Sequence, residues 1–334
     1  MPRMDELPKD RCWVGFDLGG TKMMAAAFDG DFKVLGRKRR KTKGNEGSKA
    51  GMERIINTIR DALEEAKMPA GSVAGIGIGA PGNIDLDRGV ILDSANLGWR
   101  HVHVRDILEK EFSCPVVMLN DVDAGVYGEY RFGAGKGARC VIGVFPGTGI
   151  GGGCVYEGQI IRGRTLSCFE IGHIQVTQHG LPCGCGRNGC LETEASRLAI
   201  AAQAATAAFR GEAPHLLAAA GTDLSAIRSG VLAEAIKAGD TAIEKIIQRA
   251  AMFIGDAVGN VVNLLAPDIV VLGGGLIEAM PDLMVKTIEE SARKRTAQAF
   301  AKSFKVVAAK LGDDAVARGA GAWISRTVMA ASSN

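Results

Sequence analysis

No apolar run in this chain reaches the roughly 18 residues that a membrane-spanning helix requires, so the sequence predicts no membrane partner. Its opening residues, Met-Pro-Arg-Met-Asp-Glu-Leu-Pro-Lys-Asp, lack the apolar centre of a secretory signal. Charge of one sign is also scarce. A net charge of +3 over 334 residues is too small for the basic field that nucleic-acid binding needs. The one basic run, Arg37-Lys-Arg-Arg-Lys41, follows the strand-like Lys33-Val-Leu and reads as a solvated strand end. Eight cysteines in a chain of this length do not make a disulfide framework, which belongs to short, cysteine-dense secreted chains. By elimination, the expected location is the cytoplasm.

The cysteines that are present are unevenly placed. Cys12, Cys114, Cys140, Cys154 and Cys168 stand singly, mostly in apolar runs, and read as small core residues. The other three fall together in Cys183-Gly-Cys185-Gly-Arg-Asn-Gly-Cys190-Leu-Glu192, shortly after Glu170-Ile-Gly-His173. One histidine and three cysteines at this spacing match a closed tetrahedral zinc site, with His173, Cys183, Cys185 and Cys190 as ligands. The competing reading is scattered thiols or a disulfide pair. Glu170 and Glu192 bracket the segment, so a structural Zn²⁺ would also fix two carboxylates of a polar pocket.

Along the chain, strands and helices alternate, which gives an α/β class. Cys12–Leu18 reads as a strand, Gly19-Gly20 as a turn and Met23–Phe28 as a second strand. The pattern restarts later: Arg139–Phe145 is a strand, Gly147–Gly153 a glycine turn, and Cys154-Val-Tyr a strand. This repeat suggests a diverged internal duplication. Helical spacing appears over residues 51–67, 104–112, 195–209, 231–237, 241–265, 282–295 and 315–329. The forty-five glycines suggest several tight turns that approach a ligand.

Three of those turns suit phosphate chemistry. In Asp17-Leu-Gly19-Gly20-Thr21-Lys22, backbone N–H groups can face an anion, Thr21 and Lys22 add a hydroxyl and a charge, and Asp17 can hold hydrated Mg²⁺. Gly147-Thr148-Gly149 can do the same from the second half. Gly273-Gly274-Gly275 follows a buried strand and lets a flat base or ribose approach the backbone. None is a Walker A motif or a dinucleotide-binding fingerprint. Asn120-Asp121 closes another buried strand. A carboxylate there can accept a hydroxyl proton during phosphoryl transfer, or can simply cap the helix that follows. Gly82-Asn83 and Asn96 place amides on loops, with Trp99 close behind.

These motifs together resemble the ROK (repressor, ORF, kinase) family of sugar kinases, within the actin/hexokinase/Hsp70 superfamily. The resemblance runs from about Trp13 to the final helix and is closest to the bacterial glucokinases of the family. It implies two ribonuclease-H-like domains with a cleft between them: residues 1–121, completed by the last helix at about 315–334, and residues 122–314, which carry the 170–192 segment. It implies Asp121 as catalytic base and Gly82, Asn83, Asn96, Asn120, Glu170, His173 and Glu192 as sugar contacts, with one His173 ring nitrogen for zinc and the other for sugar. ATP-Mg²⁺ would lie across the loops at 17–22, 147–151 and 273–275. The implied partners are a hexose, ATP and further copies of the chain, as a homodimer or homotetramer. One residue departs from the pattern: Phe169 stands where the family commonly has glycine.

Family repressors carry an N-terminal DNA-binding domain, for which the eleven residues before the first strand leave no room. D-glucose is the expected acceptor. Kinases of N-acetylmannosamine, N-acetylglucosamine, mannose or fructose, a polyphosphate-using glucokinase and a non-catalytic sugar-sensing protein are the alternatives.

Overall fold

The computed structural model describes residues 7–164 and 167–332. Residues 1–6, 333 and 334, assigned above to the N-terminal domain, lie outside them. Two compact units are present, each an α/β layer structure. The first comprises the chain up to Lys136, Gln159–Cys168, and the chain from Asp313 onward. The second comprises Gly137–Gly158 and Phe169–Gly312.

The first unit begins with β1 (Cys12–Leu18), β2 (Lys22–Phe28), β3 (Val34–Lys41) and α1 (Gly47–Glu65), followed by β4 (Val73–Ala80). A small antiparallel sheet then forms from β5 (Asn83–Asp85), β6 (Val90–Ser94) and β7 (Trp99–His103). Next come α2 (Val104–Phe112), β8 (Val116–Asn120) and α3 (Asp121–Phe132). The main sheet runs β3-β2-β1-β4-β8, with β1, β4 and β8 parallel. β1 and β4 are buried on both faces, and their near-continuous apolar runs reflect it. On α1, Met52, Ile55, Ile59 and Leu63 form the buried stripe at helical spacing.

In the second unit, β9 (Cys140–Pro146) and β10 (Ile150–Tyr156) form an antiparallel pair. Helices α4 (Leu191–Ala195), α5 (Arg197–Phe209), α6 (Pro214–Ala220), α7 (Ser229–Lys237) and α8 (Thr241–Leu265) follow. β11 (Ile269–Leu272), α9 (Gly275–Ala279), α10 (Pro281–Arg295) and β12 (Lys305–Ala308) complete it. Its four main strands run β10-β9-β11-β12, with β9, β11 and β12 parallel. This matches β2-β1-β4-β8 of the first unit strand for strand, so the repeat read from the sequence is a repeat of topology. The last helix, α11 (Ala315–Ser332), returns to the first unit. Among the described residues no helix is long and apolar enough to cross a membrane.

Three sequence readings change. The division, expected within residues 121–137 with the first domain ending at 121, falls after Lys136, because α3 packs along α11: a Cβ on Gly319 would come within 1.8 Å of the Ala124 carbonyl oxygen. Several glycines serve that close helix packing rather than ligand turns. A Cβ at Gly15 would lie 1.8 Å from Ala317 O, and one at Gly77 would lie 1.9 Å from Ala320 O. The second glycine turn is also shorter than Gly147–Gly153, because Ile150–Gly153 already pair with β9. The three-stranded sheet and α6 have no counterpart in the sequence reading. Their elements are too short to show periodicity.

Candidate active site and metal centre

In the first unit, Asp17 is the penultimate residue of β1 and is half-buried. It lies beside Gly79 of β4, and Gly79 in turn pairs with Leu119 of β8. Asp121 follows directly at the carboxyl end of β8, and a Cβ on Gly79 would come within 3.3 Å of its Cα. Two carboxylates thus share the carboxyl edge of a parallel sheet, where open α/β sheets bind ligands. Burial raises the Asp17 pKa to about 7, helped by the negative charges of Asp121 and Asp313 and opposed by Arg39.

Asn120, not Asp121, caps α3. Its Oδ1 accepts the N–H groups of Val122 at 2.9 Å and Asp123 at 3.4 Å. Asp121 occupies the first helical position, where its own Oδ1 takes the Val122 N–H at 2.9 Å. The helix start therefore orients Asp121 and leaves only the amide NH₂ of Asn120 uncommitted by the cap.

The turn from Gly19 to Lys22 is held from outside. Thr42 donates its hydroxyl to the Gly19 carbonyl at 2.6 Å and its N–H to the Thr21 carbonyl at 2.9 Å. Gly20 lies under Asn96, whose Cβ would be 3.1 Å from a Cβ at Gly20. Gly20, Thr21, Lys41, Lys43, Asn45 and Asn96 line part of a cavity of about 520 Å³. Lys22 is exposed at the start of β2. Gly82 has φ 99°, and a Cβ there would strike the Asp93 carbonyl oxygen at 2.5 Å; with Asn83 it leads into β5. Trp99 does not face this cavity. It is 1% exposed and its ring covers Gly51 of α1, so it is a core residue.

In the second unit, the ligand atoms of His173, Cys183, Cys185 and Cys190 all lie within 4.8 Å of one another. His173 Nδ1 is 3.6 Å from Cys183 Sγ, and Cys185 Sγ is 3.6 Å from Cys190 Sγ. Tetrahedral zinc with Zn–S of about 2.3 Å and Zn–N of about 2.0 Å has ligand–ligand edges of about 3.5 to 3.8 Å. The two measured edges fit, and none of these three cysteines is in a disulfide. Backbone and side-chain hydrogen bonds from Arg187 lower the Cys185 pKa to about 6, whereas burial drives Cys190 up to about 12. Arg187 also donates to the His173 carbonyl at 2.8 Å. A closed set of three sulfurs and one imidazole leaves no open position, which suits a structural ion.

Glu192 stands two residues beyond Cys190. Its Oε2 accepts the Ile150 N–H at 3.0 Å and would lie 2.2 Å from a Cβ at Gly149. The Gly147 N–H closes on the Gly149 carbonyl at 2.8 Å, and Arg197 donates from Nη2 to Thr148 Oγ1 at 3.0 Å. The Gly273-Gly274 turn lies against the end of β9: Cβ atoms there would meet the Phe145 ring at 2.4 Å and the Pro146 carbonyl oxygen at 2.8 Å. Gly274 has φ 88°, and Gly275 opens α9. Glu170 is exposed and precedes the short 3₁₀ turn Ile171–His173. Phe169 has φ 67°, a left-handed conformation that favours glycine, and its ring packs on Gly152.

The structure therefore gathers the expected residues into local groups. Asp17, Asn120 and Asp121 share one sheet edge. Gly20, Thr21 and Asn96 share one cavity. The four metal ligands form one cluster, and Glu192, Gly149 and Thr148 form one turn. Thr42, Arg187 and Arg197 were missed. Arg187 carried a signal, because it lies inside the cysteine loop. Thr42 and Arg197 are distant in sequence from the turns they hold and carried none.

The chain matches the ROK family over residues 13–327. It is 33% identical over 321 residues to a glucokinase of Halalkalibacterium halodurans, covering 94% of this chain and 95% of that one. Among solved structures it resembles a ROK glucokinase from Streptomyces griseus in complex with glucose and AMPPNP, with a TM-score of 0.79 and 32% identity, covering 93% of this chain and 98% of that one. It also resembles a ROK hexokinase from Thermus thermophilus, with a TM-score of 0.80 and 31% identity over 95% of this chain and 99% of that one. With the motifs, the topology and a match over nearly its whole length in agreement, the chain belongs to the ROK family.

Proposed function

We propose that the protein is a sugar kinase that transfers the terminal phosphoryl group of ATP to the 6-hydroxyl of D-glucose. The observation that carries this reading is the carboxylate pair at the carboxyl edge of β1 and β8. Asp17 lies close enough to Asp121 to have its pKa raised by that charge, at the mouth of a glycine turn. In kinases one carboxylate accepts the hydroxyl proton and another holds the metal. Asp121 takes the proton from the sugar hydroxyl as its oxygen bonds to phosphorus and the bridge to the nucleoside diphosphate breaks. Asp17 would hold the hydrated metal of the donor. Mg²⁺, when bound, offsets the negative charge of the donor phosphates. The family membership and the glucokinase relatives support the same reaction class.

Asn120 contributes its NH₂ to a sugar hydroxyl, since its carbonyl oxygen caps α3. His173 presents Nδ1 to the cluster, which leaves Nε2 for the sugar and fixes the tautomer. Glu170 and the amide of Asn96 supply further hydroxyl partners, with Gly82 and Asn83 alongside. Zinc fits the four-ligand cluster and supplies rigidity, not chemistry.

Competition kinetics test the assignment. With ATP and Mg²⁺, glucose should give a higher kcat/KM than N-acetylmannosamine, N-acetylglucosamine, mannose or fructose. A higher value for an N-acetylhexosamine would replace the acceptor and keep the kinase. Turnover with polyphosphate in place of ATP, and none with ATP, would replace the donor. No phosphoryl transfer to any sugar would overturn the reading.

A further inference from the structure

Glu192 lies in the first turn of α4, whose N-cap is the metal ligand Cys190. Its carboxylate is turned inward. Oε1 lies 3.9 Å from Cys183 Sγ, a second ligand, while Oε2 accepts the Ile150 N–H at 3.0 Å. The other end of the metal segment bears on the same residue. Gly172, adjacent to the ligand His173, has no space for a side chain, because a Cβ there would lie 2.1 Å from the Ile150 carbonyl oxygen. The metal segment thus meets Ile150 from two sides: Glu192 accepts its N–H, and Gly172 packs against its carbonyl oxygen.

Ile150 ends the Gly147–Gly149 turn. Arg197, farther along the same stretch of chain, donates its N–H to the Gly147 carbonyl at 2.9 Å. The N–H groups of Gly147 and Ile150 are both committed, to the Gly149 carbonyl and to Glu192. Those of Thr148 and Gly149 have no acceptor among the described residues. Their orientation depends on the groups that fix their neighbours. A bound cation would hold the four ligands about one point and so fix Glu192, which follows the ligand Cys190 by two residues, receives the Cys183 thiol at 3.9 Å and keeps a charge-assisted bond to Ile150.

We infer that Glu192 is a positioning residue that couples the His173/Cys183/Cys185/Cys190 ion to the Gly147–Gly149 turn. Through it, metal occupancy sets the shape in which Thr148 and Gly149 present their N–H groups to a phosphate. That this phosphate belongs to a nucleotide donor rests on the kinase reading above; the mechanical coupling does not.

Hydrogen exchange in peptides covering residues 145–153 of the full chain tests the coupling. Chelation of zinc should speed exchange there by about tenfold, the worth of a lost charge-assisted bond, and zinc added back should restore protection. Glu192→Ala should do the same in protein that retains its zinc. Glu192→Gln should stay close to wild type, because its amide oxygen still accepts the Ile150 N–H. AMPPNP affinity, measured without sugar, should follow the same order, about tenfold weaker for Glu192→Ala and little changed for Glu192→Gln. Unchanged exchange at 145–153 after chelation, or in zinc-loaded Glu192→Ala, overturns the inference. So does an equal rise in β11 and β12, which would signal general loosening. Wild-type protein that fails to bind AMPPNP defeats the kinase reading alone, and the exchange data still decide the coupling.

Discussion

The Gly19–Lys22 turn of the first unit and the Gly147–Gly149 turn of the second occupy matching places in sheets of matching strand order, yet different groups hold them. In the first, Thr42 at the end of β3 clamps two carbonyls, so the sheet itself supplies the support. In the second, Glu192 and Arg197 reach in from the segment that follows the metal ligands. The chemistry differs too. One residue pair back from the turn, the first hairpin has Asp17 opposite Met24, and the second has Phe145 opposite Gly151. One copy keeps a carboxylate whose pKa burial and Asp121 have raised; the other keeps an aromatic ring that packs on Gly273. On the proposed reading, the repeated scaffold carries acid–base and cation chemistry on one side and a turn braced by the four-ligand segment on the other.

The sharpest way to break this comparison is at Asp121. If the first unit carries the chemistry, Asp121→Asn should cut kcat by roughly 10²–10⁴-fold, with glucose binding partly retained. Near-normal turnover would move the base elsewhere.

Next in size is the metal. Cys185→Ser should lower zinc content from about one ion per chain and cost about 4 kcal/mol or more, as loss of a structural ion does. Urea unfolding with parallel elemental analysis reads both. Full stability without zinc would remove the distinction between the two turns.

A smaller effect is expected at Asp17. Between about pH 4 and about pH 7 the folded protein holds a proton there that the unfolded chain has released. The stability this group contributes is therefore present below about pH 4 and is lost as the pH rises through about 7. Asp17→Asn should stabilise the metal-free-donor form by about 1–3 kcal/mol near pH 8 and by little near pH 4. Equal stabilisation at both pH values would show that the carboxylate is not held.

The smallest change expected is at Thr42. Thr42→Val removes the hydroxyl bond to Gly19 and should cost about 1 kcal/mol, with zinc content unchanged. A fall in zinc content would mean that the first turn depends on the metal as well.

What the sequence made legible was local. The metal ligands lie close along the chain, and glycines between them leave few ways to arrange three sulfurs other than around one point. Helix α8 was legible over its full span because its apolar residues recur at helical spacing. The strand, turn and strand of each hairpin were legible because buried apolar runs stop at glycine. The carboxylate at the end of β8 was legible because a polar pair follows such a run. What only tertiary structure decided was which distant residue meets which. Trp99 follows Asn96 closely, yet its ring lies in the core against Gly51. Glu192 reads as one of two pocket carboxylates, and only the fold brings one of its oxygens to the Ile150 N–H. Asn120 rather than Asp121 became the helix cap. The glycines of β1 and β4 turned out to make room for α11, a helix from the far end of the chain. The reason is physical. Covalent spacing fixes neighbours along the chain, whereas contacts across it are chosen by close packing and by the need of each buried polar group for a partner.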